Sequence, residues 1–389
     1  MIYISAVGMI NALGRSNAEI AANLTRGVAP GMQRREGWLY DVPDAMLGGV
    51  EGELPTIPDE FSAHRTRNNQ LLLAALAQIQ PTVDEAIARV GCDRVAVVLG
   101  TSTSGLDEGD QHVNRALNGQ PPAGWQYAQQ ELGDPSRFLS HWLGLDSPAF
   151  TLSTACSSSA RAIISGRRLI EAGLADVAIV GGADTLSRMP VNGFHSLESF
   201  SPSLCQPFAQ DRGGITIGEG AALMVLTREP QPLTLLGIGE SSDAYHISAP
   251  HPQGEGAIRA IEQALREAGM TPADVGYINL HGTATPLNDQ IESRVVNQLF
   301  GETTPCSSTK HLTGHTLGAA GITEAALCAL ILQQDLPLPP QDFSCSPLDP
   351  ALPPCGVLTT AQPLTRPVIL SNSFAFGGNN ASILLGRTA

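Results

Sequence analysis

Five apolar, β-branched-rich runs punctuate the chain, at 94–99, 176–180, 223–227, 276–280 and 367–371. None alternates strictly between apolar and polar positions, as expected of strands covered by helices on both faces. Between them, 70–90, 159–173, 255–269 and 319–333 read as helices. In the third, Ile258, Ile261, Ala264, Leu265 and Ala268 recur at three- and four-residue spacing, which marks one buried face. The opening run MIYISAVGMINALG has no basic segment before its apolar residues and no small-residue cleavage site after them, so it reads as a first strand. The Pro/Gly/acid-rich stretch 41–62 and the Pro/Cys-rich stretch 336–358 read as irregular surface excursions. The class is α/β with mixed connections. Residues 93–104 resemble 274–285, each a strand ending in a Gly/Thr-rich turn. Residues 151–172 and 307–332 each place a polar turn before a small-residue helix. Two similar halves meeting within 228–250 are therefore expected.

Composition narrows the function. The 389 residues carry 42% hydrophobic and 15% charged side chains, which describes a deeply buried globule and not a disordered chain. A net charge of −15 without a lysine-rich segment makes nucleic acid a poor partner. Apolar stretches are interrupted before membrane-spanning length, so no membrane span is expected. Seven cysteines without a CxxC pair point to a reducing compartment and no structural zinc. A cytoplasmic enzyme is the expectation. Twenty-one of the 22 basic residues are arginine; Lys310 is the single lysine.

Three segments carry candidate chemistry. Cys156 lies among short polar residues just before a small-residue helix, where a helix N-terminus favours the thiolate and free N–H groups can hold an oxyanion. His281 follows a buried strand, the position where α/β enzymes place reactive groups. Lys310 and His315 flank the start of a Gly/Ala-rich helix, and a poorly solvated lysine there needs an anion, with Glu324, Glu292 and Asp289 as candidates. Glu324 lies nine residues beyond His315, a different angular position on a continuous helix. No HExxH occurs, and His311 and His315 lack an acid in helical register, so no metal is expected. No GxGxxG or GxxxxGK[ST] loop follows a strand. The stretch 372–378 pairs aromatics with glycines, as either a gate over an apolar channel or a tight turn.

Six motifs in order, TACSSS (154–159), GEGAA (218–222), SDAYHISAP (242–250), HGTATPLND (281–289), KHLTGHTLGAAG (310–321) and NSFAFGG (372–378), resemble the β-ketoacyl-acyl carrier protein synthases of the thiolase-like condensing enzymes. The resemblance implies a five-layered α-β-α-β-α fold of two similar halves, 1–235 carrying the cysteine and 236–389 carrying the histidines and lysine. It implies that Cys156 accepts the acyl group, that His281 and His315 assist malonyl decarboxylation, and that Lys310, balanced by Glu324, supports them. Asp289 and Glu292 stand behind His281. Phe376 is the gating aromatic, completing an oxyanion hole with Cys156. Thr103, Phe194 and Phe374 contact the acyl substrate, while Ser248, Thr283 and Thr285 line the phosphopantetheine tunnel. No cofactor is implied beyond the phosphopantetheine arm of acyl carrier protein, the expected partner. Arg65 and Arg67 are the candidate carrier-docking cations, with Arg161, Arg167 and Arg168 contributing if exposed. Either a homodimer or a heterodimer with a chain-length-factor-like homologue is implied. Ala375, Asn379, polar Thr103 and the reduced basic tract depart from housekeeping enzymes and resemble the synthases of aryl polyene clusters. A CoA-dependent thiolase-like enzyme and a noncatalytic chain-length-factor-like subunit are the alternatives.

Overall fold

The computed structural model describes residues 1–121 and 124–387. Its strands are β1 (Ile2–Asn11), β2 (Met32–Glu36), β3 (Asp44–Gly48), β4 (Val95–Gly100), β5 (Ala149–Leu152), β6 (Val177–Asp184), β7 (Gly220–Thr227), β8 (Leu233–Ser242), β9 (Tyr277–Asn279), β10 (Cys306–Ser307), β11 (Val368–Phe374) and β12 (Asn379–Arg387). Ten of them form one sheet in the order β10-β9-β11-β12-β8-β1-β7-β6-β4-β5. The order is two copies of one pattern meeting at a seam. From the outside inward, β5, β4 and β6 are parallel, and β7 and β1 then run antiparallel. Strands β10, β9, β11, β12 and β8 repeat that sequence. Within the sheet the two patterns meet at three residue pairs between β1 and β8, Ile2–Leu235, Tyr3–Thr234 and Ile4–Leu233. The expected first strand and two-half α/β organisation are both present.

Helices complete five layers. Arg67–Ala77, Gln80–Val90 and Asp134–Trp142 cover the outer face of the first half, where Leu72, Leu76, Val83 and Phe138 pack against Val95, Val97 and Leu99. Ser158–Glu171 and Ala320–Gln334 lie between the two halves of the sheet. Glu255–Ala268 and Pro286–Phe300 cover the far face. The middle helices approach closely because their contact residues are small. A Cβ added to Gly321 would lie 2.7 Å from that of Ala160. Ala320–Gln334 has no polar face because it is enclosed all round. Among the described residues, Leu317–Gln334 is the one helical stretch with the length and apolarity of a membrane span, and 89% of it is buried inside the protein.

Two local expectations change. The predicted helix over 70–90 is two helices, Arg67–Ala77 and Gln80–Val90, because Pro81 cannot extend the preceding helix and instead sits in the first turn of the next. The stretch 41–62 is not wholly irregular. Its residues 44–48 form β3, which pairs with β2 and buries Ala45 and Leu47, too short an alternation to stand out among prolines and acids.

Candidate active site

Cys156 lies between β5 and the helix Ser158–Glu171. The turn presenting it holds Ala155 at φ +52°, the left-handed region that non-glycine residues seldom occupy. Cys156 is 6% exposed. Burial pushes its thiol up to about 11, against the pull of the Lys310 ammonium and of the backbone N–H groups of Phe376 and Cys156. Burial thus opposes the expected helix-dipole preference for thiolate, since removing the sulfur from water disfavours its charged form.

The two histidines arrive from the other half of the sheet. His281 follows β9, and His315 lies in the turn after the short helix Lys310–Thr313. Their rings are 5.6 Å apart and nearly perpendicular. Sγ of Cys156 and one ring nitrogen of each histidine lie within 4.8 Å of one another. The neighbours set the tautomers. Leu317 N–H donates to Nδ1 of His315 at 3.1 Å, which leaves the proton on Nε2. Nζ of Lys310 lies 3.5 Å from Nδ1 of His281, with the same consequence. Burial, then the Lys310 ammonium, holds both imidazoles well below their ordinary range, and His315 lowers His281 further. Both are neutral donors.

This arrangement also argues against a metal on the three residues. A metal-bound imidazole normally donates its outer N–H to an acceptor. Here the outer nitrogens face donors, Leu317 N–H and the Lys310 ammonium, so the lone pairs are on the wrong side.

Lys310 is 1% exposed and donates to Glu324 and to the His281 carbonyl. The anticipated angular mismatch of Glu324 does not arise. The helix of Lys310 ends at Gly314 (φ +69°) and a new helix starts at Ala320, so the chain between them turns Glu324 onto the ammonium. Burial raises Glu324 to about 7, with Lys310 pulling the other way. Glu292 supports His281 through its backbone, accepting the N–H groups of His281 and Gly282, each at 2.7 Å. Asp289 accepts from Phe208 N–H and Thr283 N–H, at 2.8 and 3.1 Å, and so holds the turn without touching the imidazole.

Two cavities of about 310 Å³ each meet at Cys156, Phe194, Leu197 and Phe376. One is lined by Ser248, Thr283, Thr285, His281, His315 and Phe374. The other is mainly apolar, with Leu106, Met189, Pro190 and Leu317 beside Thr103. The rings of Phe194 and Phe376 are 5.7 Å apart where the cavities join. The hydroxyl of Thr103 is not offered to a ligand. It donates to Asp184 at 2.7 Å and accepts from Thr185 N–H at 3.2 Å. A polar residue type thus fits an apolar cavity.

The candidate cations do not form a free patch. Arg67 is engaged by Glu219, a 2% exposed carboxylate, and by the Val50 carbonyl. Arg65 pairs with Asp59 and lines a separate surface cleft with Arg115 and Trp125. Arg161 and Arg168 are held by Glu240, and Arg167 is buried against Glu171 and Glu267. Arg65–Asp59 and the i,i+4 pair Arg167–Glu171 are local, but sequence spacing gives no warning of the pairings to Glu219, Glu240 and Glu267, which join distant segments. Asp184 also escaped notice, though an acid closing the apolar run VAIVGGAD was a usable signal.

Residues 63–231 match the family described as "Beta-ketoacyl synthase, N-terminal domain" and 233–343 match "Beta-ketoacyl synthase, C-terminal domain". The chain is 36% identical over 259 residues to 3-oxoacyl-[acyl-carrier-protein] synthase 2 of Staphylococcus aureus, covering 62% of this chain and 64% of that protein. It is 37% identical over 262 residues to the synthase of the same name from Rhizobium meliloti, covering 62% of each. The chain thus spans less than two thirds of the length of these relatives. Among solved structures, a ketosynthase (ApeO) from Xenorhabdus doucetiae, in complex with its chain length factor (ApeC), superposes with a TM-score of 0.98 at 67% identity, over 100% of this chain and 98% of that one. A β-ketoacyl synthase from Burkholderia phymatum gives a TM-score of 0.88 at 27% identity, over 100% and 99%.

Proposed function

This chain belongs to the β-ketoacyl synthase family, and we propose that it condenses an acyl thioester with malonyl-acyl carrier protein, giving 3-oxoacyl-acyl carrier protein, carbon dioxide and free carrier. The supporting observation is the convergence of Cys156 and two neutral imidazoles where a cavity bearing hydroxyl groups meets an apolar one. In this reading the acyl group passes from a carrier thioester to Sγ of Cys156, and the thiol proton leaves with the phosphopantetheine sulfur. The N–H groups of Cys156 and Phe376 receive the developing oxyanion. Malonyl carrier follows through the hydroxyl-bearing cavity past Ser248, Thr283 and Thr285. Its carboxyl C–C bond breaks, carbon dioxide leaves, and the electron pair moves toward the thioester oxygen, which accepts from Nε2–H of His281 and His315. Those bonds strengthen as charge develops, the condition for accelerating the step. The enolate carbon then attacks the acyl carbon. The bond to Cys156 breaks, and the thiolate takes up a proton. No bound cofactor is needed.

Neutral histidines give the mechanism a pH signature. Both imidazoles titrate below 6.5, so protonation removes an acceptor for neither Leu317 nor Lys310 until that point is passed. Histidine protonation is expected to leave malonyl decarboxylation by Cys156→Ala unaffected from about pH 8 down to 6.5 and to lower it only below that point, while Glu324, raised to about 7, titrates inside that window. A ring ¹⁵N signal of either histidine that titrates above 6.5 contradicts neutral donors.

We assign the halves as 1–235 and 236–389, the setting as cytoplasmic, and the pathway as aryl polyene synthesis with a chain-length-factor-like partner. Met189 and Leu197, 59% and 62% exposed, line the apolar cavity and leave it open on a face that a second condensing-enzyme subunit would close. Native mass spectrometry after co-expression with its genomic neighbours should find a 1:1 heterodimer with a condensing-enzyme homologue; a homodimer or monomer alone rules out this partner.

Carrier docking rests on Arg65 alone in this reading. Arg65→Glu is expected to raise KM for carrier thioesters at unchanged kcat. Arg67→Glu should instead lower Tm by several degrees, because it leaves Glu219 buried beside a second acid. Equal effects of the two variants on KM with no change in Tm would contradict this division.

A further inference from the structure

Asp184, at the end of β6, is fully buried and touches no cavity. Its Oδ1 accepts from Thr101 Oγ1 at 2.8 Å, Ser102 N–H at 2.8 Å, Thr103 N–H at 2.7 Å and Thr103 Oγ1 at 2.7 Å. Its Oδ2 accepts from Ala319 N–H at 2.9 Å. Four of these donors belong to the turn that lines the apolar cavity with Ser102 and Thr103. The fifth belongs to the turn Leu317–Ala319, whose Leu317 lines the same cavity. Leu317 is held at φ +52°, a strained conformation for a leucine, and its N–H is the donor that sets the His315 tautomer.

We propose that Asp184 is a positioning residue that ties the wall of the acyl cavity to the proton-donating face of His315. One carboxylate fixes both turns. It pins Ala319, so Leu317 keeps its N–H on Nδ1 of His315 and the imidazole keeps its proton on Nε2. Asparagine cannot replace it. Turned one way, its NH₂ group meets the Ala319 N–H; turned the other, it meets the Ser102 and Thr103 N–H groups, which cannot reverse to accept as the two threonine hydroxyls can. This inference rests on the condensing-enzyme reading for its kinetic consequence but not for its structural one.

The test is Asp184→Asn, assayed for malonyl decarboxylation and by ¹⁵N NMR of ring-labelled histidine, with His315 assigned by substitution. The expected result is a fall in kcat of about tenfold or more with KM within about twofold, together with loss of the single Nε2–H tautomer of His315. A folded variant with wild-type kcat and tautomer overturns the proposal. If Asp184→Asn does not fold, Thr101→Val decides. It removes one donor outside both cavities and should lower kcat less, with Thr101→Ser restoring it; equal loss in both overturns the proposal. A wild-type enzyme that cannot decarboxylate malonyl carrier would sink the condensing reading, while the NMR comparison would still judge Asp184.

Discussion

Cys156→Ala is expected to abolish acylation and to lower condensation at least ~1000-fold, about 4 kcal/mol on the barrier. No other described cysteine can substitute. Buried Cys205, Cys306 and Cys328, half-buried Cys92 and Cys355, and exposed Cys345 line neither cavity that meets at Cys156. The histidines and the Phe376 N–H remain in place, so the variant should still decarboxylate malonyl carrier, giving acetyl carrier without a new C–C bond. Loss of both activities would mean that Cys156 organises the site and is not simply its nucleophile. Serine should rescue little, because a buried hydroxyl is harder still to ionise than a thiol pushed to about 11.

Lys310→Ala should be the most disruptive substitution for the histidine pair. It leaves Glu324 enclosed with no cation, and breaking a buried pair in this way costs about 3–5 kcal/mol, less to the extent that Glu324 takes up a proton. Nδ1 of His281 also loses the ammonium that keeps its tautomer. Lys310→Arg preserves charge but requires a planar fork where one compact group meets Glu324, the His281 carbonyl and the imidazole edge. At least tenfold loss of malonyl decarboxylation is expected, and near-normal turnover would show that charge alone suffices. The double variant Lys310→Met/Glu324→Gln separates the roles. Removing both charges should recover most of the thermal stability lost in Lys310→Ala while decarboxylation stays impaired. Recovery of activity as well would make the pair purely structural.

The strands and helices that bear the reactive groups were legible because each is a continuous apolar run ended by small or polar residues. β4, β6, β7, β9 and β11 all lie where the hydrophobic pattern put them, within a few residues. His281 could be singled out because it stands at such an ending, and Cys156, Lys310 and His315 because each stands at the start of a small-residue helix. What periodicity alone could not settle was which partner most groups would meet; for Lys310 it left three acids open, and the family resemblance singled out Glu324. Lys310 finds Glu324 only because Gly314 and the Leu317–Ala319 turn break the helix that a continuous pattern implied. Arg67 looked like a surface cation until β3 and the segment near Glu219 folded over it. The thiol of Cys156 looked activated by its helix, but desolvation, which opposes that activation, is a property of the packed core. Thr103 looked too polar for an acyl cavity until Asp184, 81 residues on, accepted its hydroxyl.

The most direct test of the account is mass spectrometry of carrier-bound thioesters, using the protein co-expressed with the proposed partner subunit, an acyl carrier thioester and malonyl carrier. The account predicts an acyl adduct on Cys156, followed by a 3-oxoacyl carrier product two carbons longer than the starter and one carbon dioxide per product. An acyl group that never resides on Cys156, or malonyl carrier consumed without the longer 3-oxo product, would contradict it.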